Sequence, residues 1–141
     1  LRADAAAAPA GAVYFLPFAN QSEMPARYLA ADLFVLPSRG HYETWGLAVN
    51  EAMHLGVPAL VSDLVGCQRD LVTDDPTGWA FAADAPDALR KKLAAALAAL
   101  ALPATREKIR TAVAARIAGY TYAQTTAGLL AALRAISPSP E

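Results

Sequence analysis

Two glutamates, Glu43 and Glu51, stand eight positions apart in the stretch SRGHYETWGLAVNEAMHLGVPALVSD, residues 38–63. Glu51 lies inside a run of Leu47, Ala48, Val49, Ala52, Met53 and Leu55 that reads as a buried helix. A carboxylate accepts hydrogen bonds and repels anions, so its natural ligand is a hydroxyl, and a vicinal diol satisfies both of its oxygens. Between the two acids run Thr44, Trp45, Gly46 and Leu47. Gly46 carries no side chain, which leaves the N–H groups at the start of the following helix open to a ligand, and such a terminus favours phosphate. Glu43 and Glu51 can then bracket a phosphate ester, each facing hydroxyls. Two arbitrary glutamates would more often be solvated surface charges, so the surrounding segments decide.

Short apolar runs alternate with segments of helical period. The runs are AVYFLP (12–17), LFVLP (33–37), PALVS (58–62) and WAF (79–81); the helical segments are 22–31, 45–55 and 66–72. That alternation predicts a parallel sheet with crossover helices. Three of the strands end in polar or turn residues, at Pro17–Asn20, Pro37–Gly40 and Ser62–Asp63, the end of such a sheet where ligands bind. Leu89, Leu93, Leu97 and Leu100 form a stripe at helical spacing, Pro103 begins a second helix, and a third spans about Thr121 to Ile136. The expected class is α/β, a Rossmann-like parallel sheet with helices on both faces and an Ala-rich helical tail that mostly serves as cover. Residues 1–11, with Pro9 and Gly11, read as a lead-in loop, 12–136 as one domain and 137–141 (SPSPE) as a tail.

With YLAADLFVLPS ahead of it and GVPALVSD behind it, E-TWGLAVN-E resembles the carboxyl-terminal domain of GT-B glycosyltransferases of family 4, a retaining group with an E-x7-E motif. The resemblance covers about Ala12 to Ala82 and fits the helical tail less specifically. It implies that Glu51 accepts hydrogen bonds from the ribose hydroxyls of a nucleotide diphosphate sugar donor. Glu43, the catalytic candidate, would lie against hydroxyls of the donor sugar. Thr44, Trp45 and the backbone of Gly46 and Leu47 would meet sugar and diphosphate, and the loop holding Phe18 would border the base. The implied activity is transfer of a hexosyl-type group in polysaccharide or glycolipid biosynthesis, with no cofactor and no metal, in the cytoplasm.

An amino-terminal domain of the same enzyme, absent from this chain, would hold the acceptor. The family's diphosphate-neutralising Arg-and-Lys pair belongs ahead of residue 12, where LRADAAAAPAG offers no match. The chain is therefore expected to fold without catalysing. Where the family continues Ser-Asp with a Gly-Gly pair and a glutamate, this sequence has Leu64-Val65-Gly66-Cys67-Gln68-Arg69-Asp70. The competing readings are a sugar-nucleotide epimerase of the same architecture, which lacks the E-x7-E context, and a non-catalytic interaction module, which would tolerate loss of both acids.

Composition narrows the rest. A chain of 141 residues that is 55% hydrophobic can fill one core, and a net charge of −1 supplies neither a basic field for nucleic acid nor a polybasic stretch for membrane contact. The apolar run from Leu93 to Leu102 is about half of a membrane span. Cys67, the single cysteine, reads as a core thiol in a reducing compartment. His41 and His54 lack neighbours at metal-ligand spacing, Ser38 lies in no G-x-S-x-G elbow, and Trp79 reads as core.

Overall fold

The computed structural model of the protein describes residues 2–40, 42–73 and 76–136. His41 and the 137–141 tail lie outside the described residues. Among the described residues ten elements follow one another: α1 (Arg2–Ala6), α2 (Met24–Leu29), β1 (Phe34–Leu36), α3 (Leu47–His54), β2 (Ala59–Ser62), α4 (Gln68–Leu71), β3 (Gly78–Phe81), α5 (Pro86–Leu100), α6 (Pro103–Ile117) and α7 (Tyr122–Ile136). The strands form one parallel sheet in the order β1-β2-β3, with Val35 opposite Leu60 and Leu60 opposite Trp79. All four residues of β2 are fully buried, so the central strand is covered on both faces, as parallel strands require.

The main core gathers Val49 and Met53 of α3, Ala59 and Val61 of β2, Leu71 of α4, Leu100 of α5, and Ile109, Val113 and Ile117 of α6. A smaller cluster joins Tyr28 of α2 to Ala52 and Val57. Between them these clusters fix both sides of α3, the helix that carries Glu51. Trp79 is half-buried and packs against the main core, as its sequence context suggested.

Four expectations are corrected. Residues 12–17 are not a strand; among the described residues they have no ladder partner, and Val13 to Leu16 remain largely exposed. An apolar run becomes a strand only where a neighbouring strand accepts its backbone hydrogen bonds. The lead-in is not all loop, because alanine's helix propensity supports one turn at α1 before Pro9 and Gly11 end it. In the α5 stripe Leu100 is buried and Leu89 and Leu93 are half-buried, whereas Leu97 is exposed and the neighbouring Ala96 is buried instead. Finally, α7 buries none of its residues and contributes none to the core clusters. Among the described residues no helix is long and apolar enough to cross a membrane.

Cys67 is fully buried, and burial above all pushes its thiol up to about 11, with the carboxylates of Asp70 and Glu43 adding to the rise against an opposing backbone hydrogen bond. Because the thiolate is the reactive form, a disulfide reagent such as Ellman's is expected to leave the native chain unmodified at neutral pH and to modify it at once in urea. The same shift has a sign for stability. The fold holds the thiol proton more tightly than the unfolded chain does, so this contribution is full below pH 9 and fades as the pH rises towards about 11.

Candidate functional site

The loop between β1 and α3 carries most of the residues singled out by their chemistry, and its path is set by main-chain bonds. The carbonyl of Glu43 accepts from the N–H of Gly66 at 3.1 Å, and that of Trp45 accepts from the N–H of Cys67 at 2.7 Å. The two loops beyond β1 and β2 thereby lie side by side. A Cβ on Gly66 would stand 1.8 Å from the carbonyl oxygen of Thr44, so only glycine permits this approach. Ser62 ties the same strand ends together by donating to the carbonyl of Ser38 at 2.7 Å. Asp63, next along, caps the exit of β3 by accepting from the N–H of Ala83 at 3.0 Å.

Gly46 is the amino-terminal cap of α3, with φ +99° and ψ +57°. This left-handed conformation suits glycine, and a Cβ here would also press to 2.8 Å from a Val65 methyl carbon. Among the described residues no side chain caps the helix and no acid occupies its first turn. The positive end of the helix dipole is thus left uncompensated by side chains.

Glu51, half-buried midway along α3, has one oxygen engaged: Oε2 accepts from the Tyr28 hydroxyl at 2.9 Å. Beside it, Trp45 Nε1 donates to Asn50 Oδ1 at 3.0 Å, and Asn50 Nδ2 donates to the carbonyl of Tyr120 at 3.4 Å. His54 Nε2 lies 3.3 Å from the same oxygen, and the Trp45 and Tyr120 rings are 6.1 Å apart at 32°. These side chains line a cleft of about 460 Å3 whose rim includes Gln21 and the start of α7. Gln21 is delivered by a turn ahead of α2 in which Asn20 Oδ1 accepts from the N–H groups of Ser22 and Glu23, while Glu23 Oε2 accepts from the N–H of Asn20. That reciprocal pairing is a capping box.

The structure therefore brings Trp45, Leu47 and Glu51 to one cleft, with Gly46 at its helix start. Glu43 and Thr44 flank it on the loop but do not line it. Phe18 stands almost wholly in solvent, 94% exposed, away from the cleft lining. A larger hollow of about 660 Å3 opens at the β3 edge, walled by Arg69, Trp79, Lys92 and Lys108 among others, and holds none of the residues chosen from sequence. Tyr28, Asn50, Tyr120 and Gly66 were missed as site residues. Gly66 had a signal, as the glycine that remains of a pair, and Tyr28 opens the quoted YLAADLFVLPS segment, although nothing there pointed to Glu51. Among the described residues no group of three or more His, Cys, Asp or Glu side chains is gathered to hold a metal ion.

Comparison with known proteins places this geometry in context. A family model described as glycosyl transferases group 1 matches residues 3–115. A stretch of 67 residues is 43% identical to the lipopolysaccharide core biosynthesis mannosyltransferase LpsB of Rhizobium meliloti, covering 46% of this chain and 18% of that protein. A stretch of 77 residues is 40% identical to the D-inositol 3-phosphate glycosyltransferase of Salinispora arenicola, covering 48% of this chain and 17% of that one. The matched stretches thus span less than a fifth of each relative's length. In structure the chain is similar to sucrose-phosphate synthase from Thermosynechococcus elongatus, with a TM-score of 0.67 and 26% identity over 88% of this chain and 31% of that one. The α/β fold with a parallel sheet is that of this GT-B enzyme.

Proposed function

The chain belongs to the glycosyl transferases group 1 family, and on that premise we propose that it is the donor-binding domain of a retaining enzyme of family 4, moving a hexosyl group from a nucleotide diphosphate sugar to an acceptor. The observation that carries this reading is Glu51. Its carboxylate borders an open cleft, one oxygen is held by Tyr28, and among the described residues Oε1 receives no hydrogen bond. A free carboxylate oxygen facing a cleft suits a ribose diol, each hydroxyl donating to it.

The remaining roles follow from position. The uncapped start of α3 at Gly46 and Leu47 points N–H groups at the diphosphate and favours the charge that grows on it as the sugar departs. Glu43, on the loop latched by Gly66, orients the donor sugar, with Thr44 and Trp45 beside it. The exposed ring of Phe18 offers a face for the base. The acceptor, held by an amino-terminal domain of the same enzyme, is chosen outside this chain. In keeping with that, the names of the two relatives differ in what they act on, although both match here.

The test is calorimetric titration of the chain with ADP, GDP and UDP, with Glu51→Gln alongside. Glutamine keeps the volume and removes the charge. Hydrogen bonds to a charged group are worth about 1.5–3 kcal/mol, so Glu51→Gln is expected to weaken the best of the three by about tenfold or more. An unchanged dissociation constant would remove the ribose role and with it the reading.

A further inference from the structure

We infer that Tyr28 is a positioning residue for the donor site: its hydroxyl fixes the Glu51 carboxylate before the ligand arrives, leaving Oε1 turned to the ribose. This inference rests on the ribose role proposed for Glu51 and goes beyond it by assigning a residue on a different element, 23 positions away in sequence.

Tyr28 is well built for such a task. It is 5% exposed, its ring meets Phe34 edge-on at 5.6 Å and 78°, and it packs in the cluster with Ala52 and Val57. Ala52 is the immediate neighbour of Glu51 on α3, so the ring is braced by the helix whose carboxylate it holds. Once the ring is locked, the hydroxyl has a nearly fixed position, because a tyrosine has only two rotatable side-chain bonds ahead of it. Glutamate has three, and ordering a side chain of that kind at the moment of binding is a cost that opposes association. The 2.9 Å bond to Oε2 meets that cost during folding instead.

The bond also fixes the direction of donation. Burial, then the hydrogen bond to Glu51 and its charge, push the Tyr28 hydroxyl up to about 12, so it remains a proton donor throughout the neutral range. Oε2 accordingly accepts from Tyr28, and the free lone pairs for a diol are mainly those of Oε1. Without the hydroxyl, the carboxylate would be free to swing away from the cleft.

Tyr28→Phe keeps the ring and its packing and deletes only the donor. Losing one hydrogen bond's worth of preorganisation, about 1 kcal/mol, is expected to weaken the best of ADP, GDP and UDP about fivefold. The 2′,3′-dideoxy form of the same nucleotide, which offers no diol, is expected to bind wild type and Tyr28→Phe alike. In the double variant with Glu51→Gln the Tyr28→Phe change is expected to add no further loss, because it acts through Glu51. A structural role would instead weaken both nucleotides and add to the Glu51→Gln loss. Either result overturns the inference, as does wild-type affinity in Tyr28→Phe. If Tyr28→Phe leaves affinity intact while Glu51→Gln loses it, the inference alone falls and the ribose role stands. If Glu51→Gln itself loses nothing, both fall.

Discussion

Gly66→Ala is expected to be the most damaging single substitution in the chain, lowering stability by on the order of 4 kcal/mol or more and abolishing nucleotide binding. The cause is steric and local. The added Cβ would sit 1.8 Å from the Thr44 carbonyl oxygen and 2.5 Å from its carbon, both main-chain atoms with no flexible end to swing aside. Relief requires the loop beyond β1 to separate from the loop beyond β2. That would break the bonds from Gly66 N–H to Glu43 and from Cys67 N–H to Trp45, and it would uncover the buried thiol. Urea unfolding measures the loss, and Gly128→Ala on the exposed α7 is the control, since a Cβ there meets nothing within 4 Å and alanine favours a helix. A wild-type urea midpoint in Gly66→Ala would show that the two loops do not lie as closely as described.

Met53→Ala is expected to cost about 2–5 kcal/mol while leaving the chemistry of the site in place. Met53 is fully buried on the core side of α3, in the cluster with Val113 and Ile117 of α6 and Val61 of β2. Truncation there leaves a cavity that the sheet and α6, rigid neighbours on two sides, are poorly able to fill. Glu51 lies two residues earlier on the same helix and keeps its bond to Tyr28, which packs in the other cluster. Denaturant melts should therefore shift strongly, whereas nucleotide affinity, measured well below the melting temperature, should change less than twofold. A loss of affinity as large as that of Glu51→Gln would mean that α3 moves as a body when its core side is emptied.

These two positions also mark how far the sequence could be read. The three parallel strands and the helices α3, α5, α6 and α7 were legible because their apolar periodicities are local, and E-TWGLAVN-E, read with its flanking segments, drew attention to the loop and helix that border the cleft. The false strand at 12–17 shows the limit of that signal, since an apolar run does not reveal whether a neighbour will accept its hydrogen bonds. The same holds for α7, whose leucines repeat at helical spacing yet meet no core. Contacts made by the fold itself left no mark: Tyr28 on Glu51 and Asn50 on the Tyr120 carbonyl join residues 23 and 70 positions apart. Tyrosine and asparagine are common residues, and nothing in their own neighbourhoods tells which partner they will meet.

The bonds from Gly66 and Cys67 to the carbonyls of Glu43 and Trp45 join peptide groups, and this separates the course of the loop from its cargo. Glu43, Thr44 and Trp45 contribute carbonyl oxygens or plain backbone to the arrangement, which any other residue would supply equally. The side chains at 43 and 44 are therefore interchangeable without rerouting the chain, and the demand for one particular residue falls on the glycines at 46 and 66. A lineage, or an engineer, can revise the side chains the loop presents while leaving untouched the grammar that holds it in place.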